Sequence, residues 1–128
     1  MAAMSNYLEN KILEGTLRGV TYNAPSTIYL ALFTSDPTDA GTGIEVSQNG
    51  YERKEITFDS PSNGSTTSNT DVLYDVAIEA WGTITHIGIF DANSGGNLLF
   101  HGALTATKTI LENDQLKINT GDITVTLN

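Results

Sequence analysis

The chain contains no cysteine and little positive charge. Without thiols it can form no disulfide framework, no thiolate metal site and no cysteine nucleophile. Six lysines and arginines stand against 15 aspartates and glutamates, which gives a net charge of −9 at pH 7. Because duplex nucleic acid and anionic membranes are bound through a surplus of basic side chains, we expect neither as a partner.

Long apolar segments are missing as well. The apolar runs extend over only a few residues, whereas a transmembrane helix needs roughly 20. At 128 residues the chain is long enough to form one domain with its own core. Threonine is the commonest residue, with 18 copies, and glycine and asparagine are frequent. Since threonine favours strands while glycine and asparagine favour turns, the composition predicts a β-rich domain.

The first 20 residues have a different pattern from the rest. Asn6 is a candidate helix N-cap, with Glu9 three positions later, and Gly15 and Gly19 can end the helix. We therefore predict one helix over residues 6–17, which either covers an open end of the β-domain or packs against another subunit. Its apolar residues have the spacing of a single helix face: Leu8, Ile12, Leu13, Leu17 and Val20.

From Thr27 onward the pattern indicates strands. Residues 27–33 are nearly all apolar, as in a strand buried on both faces, and residues 83–90 and 97–104 form a predicted hairpin. About seven or eight short strands at intervals of roughly ten residues are typical of a sandwich. We predict an all-β fold, an antiparallel, jelly-roll-like β-sandwich over residues 21–128, preceded by a helical segment over residues 1–20.

Other stretches are predicted to be connections. Residues 60–69 are rich in serine, threonine and asparagine and suit a polar linker. Asp36, Asp39 and Glu45 suit a solvated loop. Residues 91–96 resemble the start of a calcium loop, but a glycine occupies the position of its bidentate glutamate, so a hairpin turn is the preferred interpretation.

The two histidines, His86 and His101, lie on the two strands of the predicted hairpin. If they pair directly they face each other, and a slip of one residue puts them on opposite faces of the sheet. A zinc site would need a third ligand, which the sequence does not reveal. We expect hydrogen-bonded imidazoles or residues at a subunit contact instead.

Catalytic motifs are also missing. The sequence has neither a Gly-x-Ser-x-Gly elbow nor a phosphate-binding glycine loop. Trp81, together with Tyr74, could stack on a sugar, but an anchor in the core or at a subunit seam is the preferred interpretation. We expect no enzymatic activity, no cofactor and no bound metal ion.

Three stretches carry a resemblance that covers essentially the whole chain. They are Met-Ser-Asn-Tyr-Leu-Glu-Asn-Lys-Ile-Leu at 4–13, Ile-Tyr-Leu-Ala-Leu-Phe-Thr-Ser-Asp-Pro from 28, and Trp-Gly-Thr-Ile-Thr-His-Ile-Gly-Ile-Phe-Asp from 81. Together they resemble a family of small tailed-bacteriophage virion proteins. Such proteins are often named tail fibre proteins, and some related small β-proteins are capsid cement proteins.

The resemblance implies a virion structural protein made in the host cytoplasm. Because one compact domain is too short for a long fibre, we expect a capsid decoration (cement) protein that stabilises the assembled head. The alternative is a tail fibre or another tail-associated component that binds a host surface receptor. The expected partners are further copies of the chain, as a homotrimer, and the major capsid protein. The candidate interface residues are Tyr7, Leu8, Ile12 and Trp81.

Overall fold

The computed structural model describes residues 2–127. Within that range the chain is mostly β, with antiparallel strands and one helix near the start, which confirms the predicted all-β fold with a short N-terminal helix. The elements are, in order, β1 (Ala3–Met4), α1 (Asn6–Arg18), β2 (Ile28–Phe33), β3 (Lys54–Ile56), β4 (Ser65–Thr67), β5 (Val72–Leu73), β6 (Gly82–Phe90), β7 (Leu98–Ile110), β8 (Lys117–Ile118) and β9 (Thr124–Thr126).

Five of the strands form one sheet in the order β1-β7-β6-β2-β3. Strand β2 lies inside this sheet and is buried on both faces, as its apolar run predicts. Leu30 and Leu32 belong to the main core, whereas Ala31 and Phe33 belong to a smaller cluster with Phe90. The sheet therefore has two covered faces, which we call the inner face (main core) and the outer face (smaller cluster).

The inner face is covered by two short ladders, β4 with β9 and β5 with β8. Val72, Ile118 and Val125 from these ladders share the main core with residues of the large sheet. Strand β4 lies in the stretch predicted to be a linker, so that prediction is wrong for residues 65–67. A polar stretch can form a strand here because the three residues of β4 are only partly buried, although Thr66 pairs with the buried Val125.

Helix α1 starts at Asn6, as predicted, but its N-cap lies one residue before the predicted one. Ser5, not Asn6, caps it by accepting a hydrogen bond from the Leu8 amide at 3.2 Å. The helix ends at Arg18, where Gly19 adopts the left-handed conformation that the sequence suggests, with φ 69°. Over the residues that the structure describes, no helix is long and apolar enough to cross a membrane.

Strands β6 and β7 form the predicted hairpin, but β7 runs on to Ile110 instead of ending near residue 104. The pairing shifts at two points: Leu99 is an extra residue of β7 beside the turn, and Thr85 alone lies opposite residues 104–107 of β7. Between these two shifts, His86 pairs with Ala103 and Gly88 pairs with His101. Neither predicted register is correct, and the two histidines are diagonal neighbours on the outer face.

Trp81 lies in the main core and is only 1% exposed. Its indole nitrogen donates a hydrogen bond to the Asn49 carbonyl at 3.1 Å, and its ring packs edge-on against Tyr51 and Tyr74. Tyr74 in turn donates to the Leu30 carbonyl at 2.6 Å. Of the two roles preferred for Trp81 from the sequence, the folded chain shows the core anchor. Because the ring is covered, it can form neither a sugar platform nor a contact surface in this state.

These buried tyrosines make stability sensitive to alkaline pH. Burial is the main cause that raises the pKa of both Tyr51 and Tyr74 above the ordinary value of 10.0, and a hydrogen bond to Glu45 adds to the effect at Tyr51. In the unfolded chain both phenols ionise near pH 10, whereas in the folded chain they stay neutral to higher pH. We therefore expect the free energy of unfolding to be unaffected by these groups below pH 10 and to fall as the pH rises above it.

Denaturation followed by circular dichroism between pH 8 and 12 measures this fall. The variant Tyr51→Phe should show a shallower decline, because its unfolded state gains one fewer negative charge. Tyrosinate absorbance provides the independent readout. If all five tyrosines ionised in the folded protein before unfolding, the proposed cause would be wrong.

Candidate functional site

An apolar groove lies between helix α1 and the chain that follows β3 and β9. Its volume is about 700 Å³, and none of the described residues that line it carries a charge. The side chains come from segments far apart in the sequence, which the fold brings together. They include Leu8, Ile12, Tyr22, Pro25, Phe58 and Leu127. We call this feature the apolar groove.

Helix α1 leaves most of its apolar face uncovered. Leu8 is the helical residue that the chain buries, at 6% exposure, and Leu17 is 74% exposed. An amphipathic helix normally covers its apolar stripe against a core, so this one has unused contact surface. Adjoining apolar residues on a surface typically mark protein–protein contacts. We call the exposed residues Ile12, Leu13 and Leu17 of the helix, together with Val20 just after its end, the helical stripe.

The structure brings together two of the four predicted interface residues. Leu8 and Ile12 both line the apolar groove, with Leu8 buried and Ile12 42% exposed. Tyr7 is half-buried, with the Lys11 ammonium 5.6 Å from its ring centre. Trp81 lies in the main core instead. Whether Tyr7, Leu8 and Ile12 contact another subunit remains a prediction, and Leu13 and Leu17 join them as exposed candidates.

Arg53 forms a buried polar centre that the sequence does not reveal. Its side chain is 7% exposed, and two of its nitrogens donate to Glu45 at 2.9 Å. A third nitrogen donates to the carbonyls of Ala92 and Gly95, both at 2.8 Å, and the guanidinium carbon lies 3.7 Å from the ring centre of Phe90. Arg53 thereby connects β3, the loop before it and the β6–β7 turn.

Glu45 is consequently not the solvated loop residue that was predicted, because its side chain is only 25% exposed and pairs with Arg53. Asp36 and Asp39 do have exposed side chains, at 57% and 51%. With one carboxylate and two carbonyls already accepting from it, the guanidinium has little capacity left for an outside ligand. We interpret the Arg53 centre as a structural clamp.

The turn at residues 91–96 is held by protein groups. One oxygen of Asp91 accepts from the Asn97 amide at 2.7 Å, and the other accepts from the Asn97 side chain at 3.0 Å. Gly95 and Gly96 supply the positive φ angles, 62° and 72°, that the turn needs. The hairpin-turn interpretation accounts for these residues.

Comparison with known protein families gives a match over nearly the whole chain. A family model, Gp80, described as podophage GP4 fiber I protein gp80, matches residues 3–126. The matched range includes helix α1, all nine strands of the described chain and nearly every residue of the apolar groove. No curated protein matches the chain.

Proposed function

We propose that this chain, which belongs to the Gp80 family of podophage fibre proteins and is thus a structural protein of the phage virion, is a non-catalytic fibre subunit that assembles with copies of itself. The contact surface is the apolar groove together with the helical stripe. The exposed stripe beside an uncharged groove is the observation that carries this proposal.

The family description favours the tail-associated alternative over capsid decoration. Decoration was expected first because a compact domain of this length cannot form a long fibre alone. Self-assembly removes that objection, since several copies can build one segment or tip of a fibre. A receptor on the host surface is then the proposed distal partner, in place of the major capsid protein.

Charge supports a second copy as the occupant of the groove. At −9 each, two chains repel one another across most of their surfaces. The groove lining adds no charge to a contact, so two copies can meet there without bringing acidic side chains together. An anionic polysaccharide or lipid would face the repulsion of the whole chain, and a cationic partner would find no carboxylate in the lining.

The stripe and the groove adjoin, since Ile12 belongs to both. We propose that the stripe of one copy enters the groove of another. If the contact is reciprocal it closes as a two-fold dimer, and if it runs head to tail it must close into a ring of three or more copies or grow into a filament. The ring of three is the homotrimer expected above, and the mass of the associated species distinguishes it from the dimer.

A charge placed on the helical stripe should abolish assembly. We expect Leu17→Asp to weaken self-association at least about tenfold, because it puts a desolvated carboxylate into an apolar contact. At 74% exposure Leu17 contributes little to the fold of the single chain, so the thermal midpoint of the dissociated protein should stay unchanged. Sedimentation equilibrium over a range of concentrations measures the association constant.

Asn113→Asp is the matched control, since it adds one negative charge at an exposed turn position that belongs to neither the groove nor the stripe. It should associate like the natural chain. Leu8→Asp is unsuitable, because Leu8 is buried and its loss would damage the fold itself. A natural chain that is monomeric at every concentration, or a Leu17→Asp variant that associates normally, would contradict the proposed surface.

The place of the protein in the particle is tested separately. Antibody-labelled virions viewed by electron microscopy should carry the label on the tail. A label spread over the head would instead support decoration. This experiment does not depend on the assembly surface, so the two parts of the proposal can fail independently.

A further inference from the structure

Two histidines and two aspartates meet on the outer face of the sheet. His86 and His101 are diagonal neighbours on β6 and β7, and their side chains are 22% and 11% exposed. The loop after β2 lies over them and carries Asp36 and Asp39. Because this cluster lies on the outer face, it is separate from the core-side residues and from the apolar groove.

His101 is oriented by Asp39. Its Nε2 lies 2.7 Å from Asp39 Oδ1, and an ionised carboxylate can only accept, so Nε2 carries the hydrogen. In the neutral ring the lone pair is then on Nδ1. That nitrogen lies 3.8 Å from Asp36 Oδ1. Two acceptors that face each other are unfavourable unless a positive charge lies between them.

His86 approaches the same carboxylate from the other strand. Its Nδ1 lies 2.8 Å from the Thr85 hydroxyl oxygen, and its Nε2 lies 3.9 Å from Asp36 Oδ2. Each imidazole is therefore held through one nitrogen and directs the other at Asp36. Outer partners that orient histidine ligands in this way are typical of metal sites.

We propose that His86, His101 and Asp36 bind one divalent transition-metal ion of the zinc type. Imidazole nitrogen and carboxylate oxygen are ligands that zinc accepts, and three protein ligands leave a fourth position for water or another group. The ion would supply the positive charge between Asp36 and the imidazoles. It would also fasten the loop after β2 to the hairpin, far from it in sequence.

The ligands must close slightly around the ion. Metal–ligand distances of about 2.0–2.2 Å put a nitrogen and an oxygen on one tetrahedral ion about 3.3–3.5 Å apart. The separations here are 3.8 and 3.9 Å, and among residues 2–127 no three such side chains are yet close enough to hold an ion. Asp36 Oδ1 also accepts a hydrogen bond from the Thr38 amide at 2.8 Å, and a shift of a few tenths of an ångström by this 57% exposed side chain keeps that bond while it closes the distances.

Calorimetric titration of the full chain with Zn²⁺, with no other metal ion present, tests the proposal. We expect one ion per chain, and Co²⁺ should give a visible absorption spectrum characteristic of nitrogen ligation. His86→Gln and Asp36→Asn should each weaken binding at least about tenfold, because each removes a direct ligand. Asp39→Asn should weaken it about 10–100-fold while leaving the three ligands in place.

Asp59→Asn is the matched control, since it neutralises an exposed aspartate outside the cluster. It should bind like the natural chain. Saturating Zn²⁺ should raise the thermal midpoint of the natural chain and of this control but not that of Asp36→Asn, whose amide oxygen can still accept the hydrogen bond from the Thr38 amide. Absence of binding in the natural chain, or binding unaffected by both His86→Gln and Asp36→Asn, would overturn the proposal.

Discussion

Replacing Arg53 by alanine is expected to lower the free energy of unfolding by about 3 kcal/mol. The substitution removes four hydrogen bonds and leaves the carboxylate of Glu45 partly buried without its partner. Removing one member of a buried pair costs about 3–5 kcal/mol, and the 25% exposure of Glu45 puts the expected value at the lower end. Urea denaturation at pH 7, followed by circular dichroism, measures the difference.

Two further substitutions separate the geometry of Arg53 from its charge. Arg53→Lys keeps the charge, but a single ammonium cannot reach Glu45 and both carbonyls together, so most of the loss should remain. The double variant Arg53→Met/Glu45→Gln should be more stable than Arg53→Ala, because it leaves no unpaired charge.

Arg18→Ala is the matched control for Arg53→Ala. It breaks the pair with Glu14, whose side chains are 72% and 40% exposed, and should change stability by no more than about 0.5 kcal/mol. If Arg53→Ala were as mild as Arg18→Ala, the clamp would have no structural role.

The Arg53 centre illustrates what periodicity cannot predict. Strand and helix patterns report which face of a local element is apolar, and Arg53 falls in an alternating stretch that suits an exposed strand. Its burial depends on the β6–β7 turn, whose two carbonyls come from residues 39 and 42 positions later. The small number of arginines in the sequence draws attention to Arg53, but it does not indicate which residues Arg53 contacts. Contacts of this kind become visible only with the tertiary structure.

Elements governed by local physics were predicted well. The apolar run of β2, the hairpin turn and the helix ending at Gly19 all follow from propensities within a few residues. The relative shift of β6 and β7 did not follow, because Leu99 is an extra residue on β7 between the pairs Phe90–Leu98 and Ile89–Phe100. This irregularity beside the turn changes which residues face each other farther along the hairpin, and it decided the relation between His86 and His101.

The candidate assembly surface was partly predictable for the same reason. Ile12 and its neighbours stand out by helical spacing, and the structure leaves that stripe exposed. The opposite wall of the groove was not predictable, since Phe58 and Leu127 reach it only through the folded chain. Trp81 was included because large aromatic residues are common at interfaces, yet the same property makes them common in cores. Composition alone cannot separate these two roles.

Replacing Trp81 by alanine decides between the two roles by experiment. If Trp81 is a core anchor, Trp81→Ala should lower the free energy of unfolding by about 3–5 kcal/mol. The reason is that the side chain is 1% exposed and packs against Tyr51 and Tyr74. The fraction that remains folded should associate as the natural chain does. Because Trp81 is the chain's one tryptophan, unfolding must be followed by circular dichroism and not by its fluorescence.

Trp81→Phe refines this test by retaining a ring while removing the hydrogen bond to Asn49. It should be clearly more stable than Trp81→Ala, since packing with the two tyrosines contributes more than one hydrogen bond, worth about 0.5–1.5 kcal/mol. A Trp81→Ala variant with normal stability but no self-association would contradict the core role and place Trp81 at the subunit contact. Combined with Leu17→Asp, the series separates loss of the fold from loss of the assembly, because each substitution should affect one and spare the other.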